Sequence, residues 1–225
     1  YGFVAMQACS VGQSPEPYTN TRHNLESVAS LTDRHYKLDS VLSHAGNGMT
    51  VQIGYDVFFK TPKRYEGFCI NTLLDSIIRT NRIDTADLLV IFQCSDGYRP
   101  LMPIARFYEK AKGYIVYRDL DEPNGRWPEN ARKQFGNYYL VWNDVNPTDD
   151  AFAWPYGLTG FRLVHAGKEN QFIYPSPDDA QRKGFVLFRD HCFKCHAVNG
   201  TGGTIGPELN IPRNITEYWK KEDII

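Results

Sequence analysis

Two of the five cysteines are three positions apart and a histidine follows them directly, in the segment Cys192-Phe193-Lys194-Cys195-His196. No other feature limits the fold of this chain as strongly, because two thiols and one imidazole at this spacing can converge on a single bound group. A Cys-x-x-Cys pair by itself also occurs as a redox-active dithiol or as half of a zinc site. The sequence lacks the second pair of ligands that such a zinc site needs, and it lacks the β-α-β context of a thioredoxin-like dithiol.

The complete pattern, including the histidine, is typical of covalent haem attachment. The two thiols add to the two vinyl groups of the haem as thioethers, and the adjacent imidazole reaches the iron from one face. We therefore predict that Cys192 and Cys195 bind haem c covalently and that His196 is the metal ligand. A helix over about residues 179–191 would present both sulfur atoms in the same direction.

The residues after this motif include Gly206-Pro207-Glu208-Leu209 and then Asn210-Ile211-Pro212-Arg213-Asn214. Together with the cysteine motif they resemble the class I cytochrome c family, whose pattern runs on to a Gly-Pro-x-Leu. The resemblance implies that residues 177–225 form a small all-α cytochrome c domain. It also implies that the carbonyl of Pro207 accepts a hydrogen bond from Nδ1 of His196, which would fix the nitrogen that binds iron.

Class I cytochromes usually supply a methionine, downstream of the histidine, as the second axial ligand. The methionines of this chain, Met6, Met49 and Met102, all lie upstream of His196. Three explanations stay open: the natural protein continues past Ile225 and the domain is truncated here, the iron takes another sixth ligand, or the domain no longer holds working haem.

The preceding region contains a second set of short sequence motifs. In chain order they are Tyr65-Glu66-Gly67-Phe68, Ser95-Asp96-Gly97-Tyr98 and Gly136-Asn137-Tyr138-Tyr139. They resemble the molybdopterin-binding domain of sulfite-oxidase-like proteins, a mixed α+β fold. In that family a cysteine upstream of the position of Tyr65 ligates molybdenum, and no cysteine occurs between Cys9 and Cys69 here. The resemblance therefore implies the scaffold without its metal, and molybdopterin is not expected.

Hydrophobic periodicity gives a coarse secondary structure for the same region. Strands are predicted over residues 50–59, 88–93, 114–117, 138–142 and 160–165, helices over residues 70–82 and 102–111, and a polar loop over residues 121–137. An aromatic content of 14 %, with 13 prolines and 18 glycines, also favours a β-rich body over a helical bundle. The predicted fold class is α+β, with a sulfite-oxidase-like domain over residues 23–176 and the cytochrome c domain over residues 177–225.

Residues 1–22 are predicted to be an export leader and linker. A small residue, Ala8, precedes Cys9, and a polar stretch follows it, which resembles a bacterial lipoprotein processing site and predicts lipidation of Cys9. The alternative is a leader with an incidental thiol. Cys69 and Cys94 lie in separate apolar segments and could form a disulfide in an oxidising compartment, or remain as two reduced, buried thiols.

Charge and hydropathy exclude some classes of partner. The chain has 25 lysines and arginines against 26 acidic residues, a formal charge of −1, which gives no basis for general nucleic-acid binding. No run of eighteen apolar residues occurs, so membrane contact is expected only through a lipid at Cys9.

These observations favour an exported protein of the bacterial envelope, in the periplasm or at the periplasmic face of the outer membrane. It would transfer single electrons through covalent haem to a redox partner protein. The alternative is a non-catalytic, lipid-anchored subunit of a large envelope or secretion complex, in which the cytochrome c domain is a relic. Both are favoured over an enzyme that binds substrate at a vacant iron position.

Overall fold

The computed structural model describes residues 34–170, 173 and 179–224. The predicted leader, with the lipid-attachment site at Cys9, lies outside these residues. We call residues 34–170 the body and residues 179–224 the module. None of the helices in the described part of the chain is both long and apolar enough to cross a bilayer.

The body contains eight strands, four helices and two 3₁₀ turns. The strands are β1 (Arg34–Lys37), β2 (Met49–Asp56), β3 (Thr61–Cys69), β4 (Leu88–Cys94), β5 (Leu101–Pro103), β6 (Lys112–Asp119), β7 (Tyr139–Asn143) and β8 (Leu158–His165). The helices are α1 (Leu38–Leu42), α2 (Ile70–Asn81), α3 (Glu129–Phe135) and α4 (Ala166–Asn170), and the 3₁₀ turns are Ile104–Tyr108 and Pro123–Gly125.

The module is small and has little regular structure. It contains α5 (Asp179–Leu187), a π-helical turn (Phe188–Cys192), the two-residue strands β9 (Ala197–Val198) and β10 (Thr201–Gly202), a 3₁₀ turn (Ile215–Glu217) and α6 (Lys221–Ile224). The chain is therefore a mixed α/β protein with a β-rich N-terminal part and a small helical C-terminal region, in agreement with the predicted class. The β9–β10 hairpin departs from the all-α domain that was expected.

The strands of the body form two four-stranded sheets. The first has the order β1-β8-β4-β5 and the second has the order β2-β3-β6-β7, and every neighbouring pair is antiparallel. Helix α2 packs in the larger core with Ile70, Leu74 and Ile78, where it meets residues of both sheets. Each such aliphatic side chain stabilises the fold by about 1.5–3 kcal/mol when it is buried.

Strands β6 and β7 of the second sheet are largely buried on both faces. Ile115 of β6 faces the larger core, whereas the next residue, Val116, belongs to a second cluster. Helix α3 covers this second face with Ala131 and Phe135, and Trp127 packs beside them. The predicted polar loop over residues 121–137 is thus wrong, because its few apolar residues are the ones that close the second core.

Two strand predictions differ from the structure for local reasons. The register of β2 shifts between Ile53 and Asp56. Asp56 is therefore buried, and Tyr55, which regular alternation from Ile53 would place on the inner face, is 44 % exposed. A β-bulge of this kind inverts the inward and outward alternation after it. The helix predicted over residues 102–111 is instead β5 and a short 3₁₀ turn, since Pro103 disfavours a helical conformation at Met102.

Neither alternative considered for Cys69 and Cys94, a disulfide between them or two reduced thiols, is found. Cys69 is disulfide-bonded, but Cys94 is a free and buried thiol. The two residues end strands of different sheets, β3 and β4, and their side chains pack in different core clusters.

Candidate functional site

The cysteine motif begins at the end of a distorted helix. Helix α5 continues into the π-helical turn, where the amide of Phe193 donates to the carbonyl of Phe188 over 2.9 Å. The wider turn places Phe193 in the interior, with its ring 6.1 Å from that of Phe188. Cys192 is consequently exposed and Cys195 is partly exposed, and both are free thiols. Single π-turns inside helices are frequent at functional sites.

A glycine-rich segment folds back against the motif. The amide of Gly203 donates to the carbonyl of Phe193 over 2.9 Å, and the amide of Gly206 donates to the carbonyl of Cys195 over 2.8 Å. Gly202 has a φ of +122°, and a Cβ atom there would strike the carbonyl of His196 and the ring of Phe193. Only glycine permits this close approach of backbone to backbone. We call residues 192–207 the attachment loop.

His196 is held in one tautomer. Its Nδ1 lies 2.9 Å from the carbonyl oxygen of Pro207, the contact implied by the family resemblance. A carbonyl oxygen can only accept, so Nδ1 carries the proton and Nε2 of the neutral ring keeps its lone pair. The ring also packs on Gly206, where a Cβ atom would come within 2.6 Å of Nδ1. The neutral imidazole therefore has the tautomer and the fixed orientation of a metal ligand.

Glu208 organises the end of the attachment loop, and sequence reasoning did not identify it. Its carboxylate accepts hydrogen bonds from the amides of Asn199, Gly200, Asn210 and Ile211, at 2.9–3.3 Å. Partial burial acts to raise the pKa of Glu208, but these four donors outweigh it and the pKa is lowered. The ionised side chain thus ties the β9–β10 turn to the segment that follows Pro207.

Exposed apolar side chains are concentrated in the module. Among the described residues, six of the seven large hydrophobic side chains that are exposed belong to it; they are Val186, Leu187, Ile205, Ile211, Tyr218 and Trp219. Leu187 is 62 % exposed and Trp219 is 50 % exposed. The remaining one, Tyr55, lies in the body.

The donor set fits a covalently bound haem. Cys192 and Cys195 supply two free thiols, and Nε2 of His196 would supply one nitrogen ligand. The described methionines, Met49 and Met102, both lie in the body, Met102 in its larger core. No group of three or more potential metal ligands occurs among residues 34–170, 173 and 179–224.

The module contacts one turn of the body. The amide of Arg99 donates to the carbonyl of Lys194 over 2.9 Å, and the amide of Thr204 donates to the carbonyl of Gly97 over 2.9 Å. These hydrogen bonds join the β4–β5 connection to the attachment loop. The sequence contains no local signal for them, because they depend on how two distant segments meet.

Comparison with known proteins gives one match. No curated protein and no solved structure matches the chain significantly. A family model described as cytochrome c matches residues 181–225, which include the two cysteines, His196 and Pro207. The C-terminal region of this chain is therefore similar to a cytochrome c domain.

Proposed function

We propose that this chain is an electron carrier of the bacterial envelope, with haem c attached through Cys192 and Cys195 and ligated by His196. Bound haem would supply the one-electron chemistry, because its iron cycles between the ferrous and ferric states. The observation that carries the proposal is the state of His196. Its Nδ1 donates to Pro207, its ring rests on Gly206, and two free thiols precede it in a region similar to a cytochrome c domain.

An oxidising compartment is part of the same proposal. Cys69 is disulfide-bonded, and structural disulfides persist mainly in the periplasm and outside the cell. The proposed location is the periplasm or the periplasmic face of the outer membrane, and the proposed partner is a redox protein. The two antiparallel sheets and the second, helix-covered core of the body are compatible with a sulfite-oxidase-like scaffold that serves as a support rather than as a second redox centre.

The test begins with the covalent bonds. The chain is produced in cells that carry a haem c maturation system, and its intact mass is compared with that of a variant in which Cys192 and Cys195 are both alanine. We expect the unmodified chain to gain the mass of one haem and the double variant to gain none. Cys94→Ala is the matched control, since it removes a thiol in the body and should keep the haem.

Electron transfer requires a second measurement. We expect a reversible one-electron wave in voltammetry of the haem-loaded chain, and a spectrum that changes between the oxidised and reduced states. If the two cysteines remain free thiols in material from the maturation strain, the electron-carrier proposal is wrong. Free thiols in a folded chain that purifies with a large envelope complex would support the structural-subunit alternative.

A further inference from the structure

The β4–β5 connection of the body is a turn closed by backbone hydrogen bonds. The amide of Gly97 donates to the carbonyl of Cys94, and the amide of Cys94 donates to the carbonyl of Tyr98, both over 3.1 Å. The amide of Ser95 donates to the carbonyl of Gly157 over 2.8 Å. We call residues 95–99 the docking turn.

The docking turn holds both limbs of the attachment loop. On one limb, the amide of Arg99 donates to the carbonyl of Lys194, the residue between the Phe193 core contact and Cys195. On the other limb, the guanidinium of Arg99 donates to the carbonyl of Gly202 over 3.2 Å, and Thr204 donates its amide to Gly97. A single residue, Arg99, therefore bridges the two limbs.

The fit between these segments is close. Gly97 has a φ of +92°, and a Cβ atom there would collide with Oγ1 of Thr204. Tyr98, which packs against the larger core, lies near Cys195. Burial raises the pKa of the Tyr98 hydroxyl. The peripheral contact between Nδ1 of His191 and Oδ2 of Asp150, at 2.9 Å, is more than half exposed and adds little.

The contacts continue from the docking turn to the imidazole. Arg99 holds Lys194 and Gly202, Gly206 donates to Cys195 next to His196, and Pro207 accepts from the ring. These hydrogen bonds link the docking turn to His196 in sequence. Displacement of the docking turn would therefore change the orientation of the imidazole ring.

We propose that the body acts as an intramolecular clamp on the haem-attachment loop, with Arg99 as its positioning residue. This inference rests on the proposed function, to which it adds a role for the body. With this clamp in place, the module and the body would form a single rigid unit that carries the haem. Restricted access of water on the Cys195 side would raise the reduction potential, since water stabilises the more highly charged ferric state.

The test uses three variants of the full, haem-loaded chain. Arg99→Ala removes the guanidinium contact to Gly202, and Gly97→Ala forces the turn away from Thr204 without any change in charge. Arg126→Ala is the matched control, because Arg126 is an exposed arginine of the body that is absent from the described contacts with the module. Amide hydrogen exchange over residues 194–206 and the reduction potential are measured for each.

We expect Arg99→Ala and Gly97→Ala to speed exchange at residues 203–206 about tenfold, as the loss of one hydrogen bond from a charged donor would do. Both variants should lower the reduction potential, and the control should change neither quantity. If amide exchange in Arg99→Ala is unchanged, the clamp proposal is wrong. It is also wrong if the reduction potential falls in Arg99→Ala but not in a folded Gly97→Ala, because that result would indicate a pure charge effect.

The two proposals can fail separately. If no haem attaches, mass spectrometry shows free thiols and the electron-carrier proposal fails. Exchange at residues 203–206 of the haem-free chain still reports on the docking turn. Thermal unfolding of the body, followed in the near-UV, identifies any variant whose altered exchange comes from general unfolding.

Discussion

The carbonyl oxygen of Pro207 lies 2.9 Å from Nδ1 of His196, on a ring that packs directly against the backbone of Gly206. Main chain alone therefore fixes both the tautomer and the tilt of this imidazole. Gly206 is the position where an added side chain would meet the imidazole directly.

Replacement of Gly206 by alanine should displace the imidazole. The new Cβ would lie within 2.6 Å of Nδ1, so the ring or the loop must move, at a cost of about 1–3 kcal/mol in stability. In the haem-loaded chain we expect a changed reduction potential and a shifted absorption spectrum. Gly184→Ala, in helix α5 with no atom within 4 Å of the new Cβ, is the control and should stabilise the helix by about 0.5–1 kcal/mol. Equal behaviour of the two variants would contradict the packing of His196 on Gly206.

The thiols should differ sharply in reactivity. Burial raises the pKa of the Cys94 thiol, whereas Cys192 is exposed. In the folded haem-free chain we expect an alkylating reagent to modify Cys192 first and Cys94 only after denaturation, because the thiolate is the reactive species. Peptide mapping after timed alkylation measures this order. Rapid labelling of Cys94 under native conditions would show that its place in the core is wrong.

A buried ion pair joins two strands of the second sheet. Nζ of Lys63 lies 2.6 Å from Oδ2 of Asp119, and the two side chains are 8 % and 0 % exposed. Lys63→Met should destabilise the body by about 3–5 kcal/mol, since it leaves a buried carboxylate without its cation. Arg118→Ala is the comparison: it breaks a half-exposed pair with Glu66 and should cost at most about 1 kcal/mol. Urea unfolding measures both, and a similar loss in the two variants would refute the difference in burial.

Asp56 should make stability depend on pH with the opposite sign to an ordinary carboxylate. Its side chain is fully buried, and burial raises its pKa above the usual 3.8, although the amides of Phe58 and Phe59 and the hydroxyl of Tyr65 oppose that rise. The folded state therefore holds the proton more tightly than the unfolded state. This contribution is fully present below pH 3.8 and is lost as the pH rises through the folded pKa.

Asp56→Asn tests that linkage. The amide oxygen can still accept from Phe58 and Phe59, but the side chain no longer titrates. We expect the difference in unfolding free energy between the two chains, measured by urea titration at several pH values, to shift in favour of the asparagine variant as the pH rises above 3.8. A difference that stays constant with pH would mean that the pKa of Asp56 is not raised by folding.

Local patterns predicted the regular elements well. The apolar stripe of α2 was predicted over residues 70–82 and is found at Ile70–Asn81, and the apolar run of β4 was predicted over residues 88–93 and is found at Leu88–Cys94. In both elements the apolar pattern is uninterrupted, so that residues close together in the sequence determine the conformation. Helix α3 was not predicted because it is short. Its two buried residues, Ala131 and Phe135, show no clear pattern by themselves and form an apolar cluster only together with Trp127.

The sequence by itself determined where the reactive groups stand along the chain, since the spacing of Cys192, Cys195 and His196 is a covalent property and brings them together within a turn of backbone. Only the tertiary structure decided that Cys94 stays a free thiol, because the separation of sulfur atoms depends on which sheet each strand joins. It also decided that Arg99 reaches Gly202, a contact between residues 103 positions apart. Contacts of that range follow from the packing of whole elements, which no local pattern encodes.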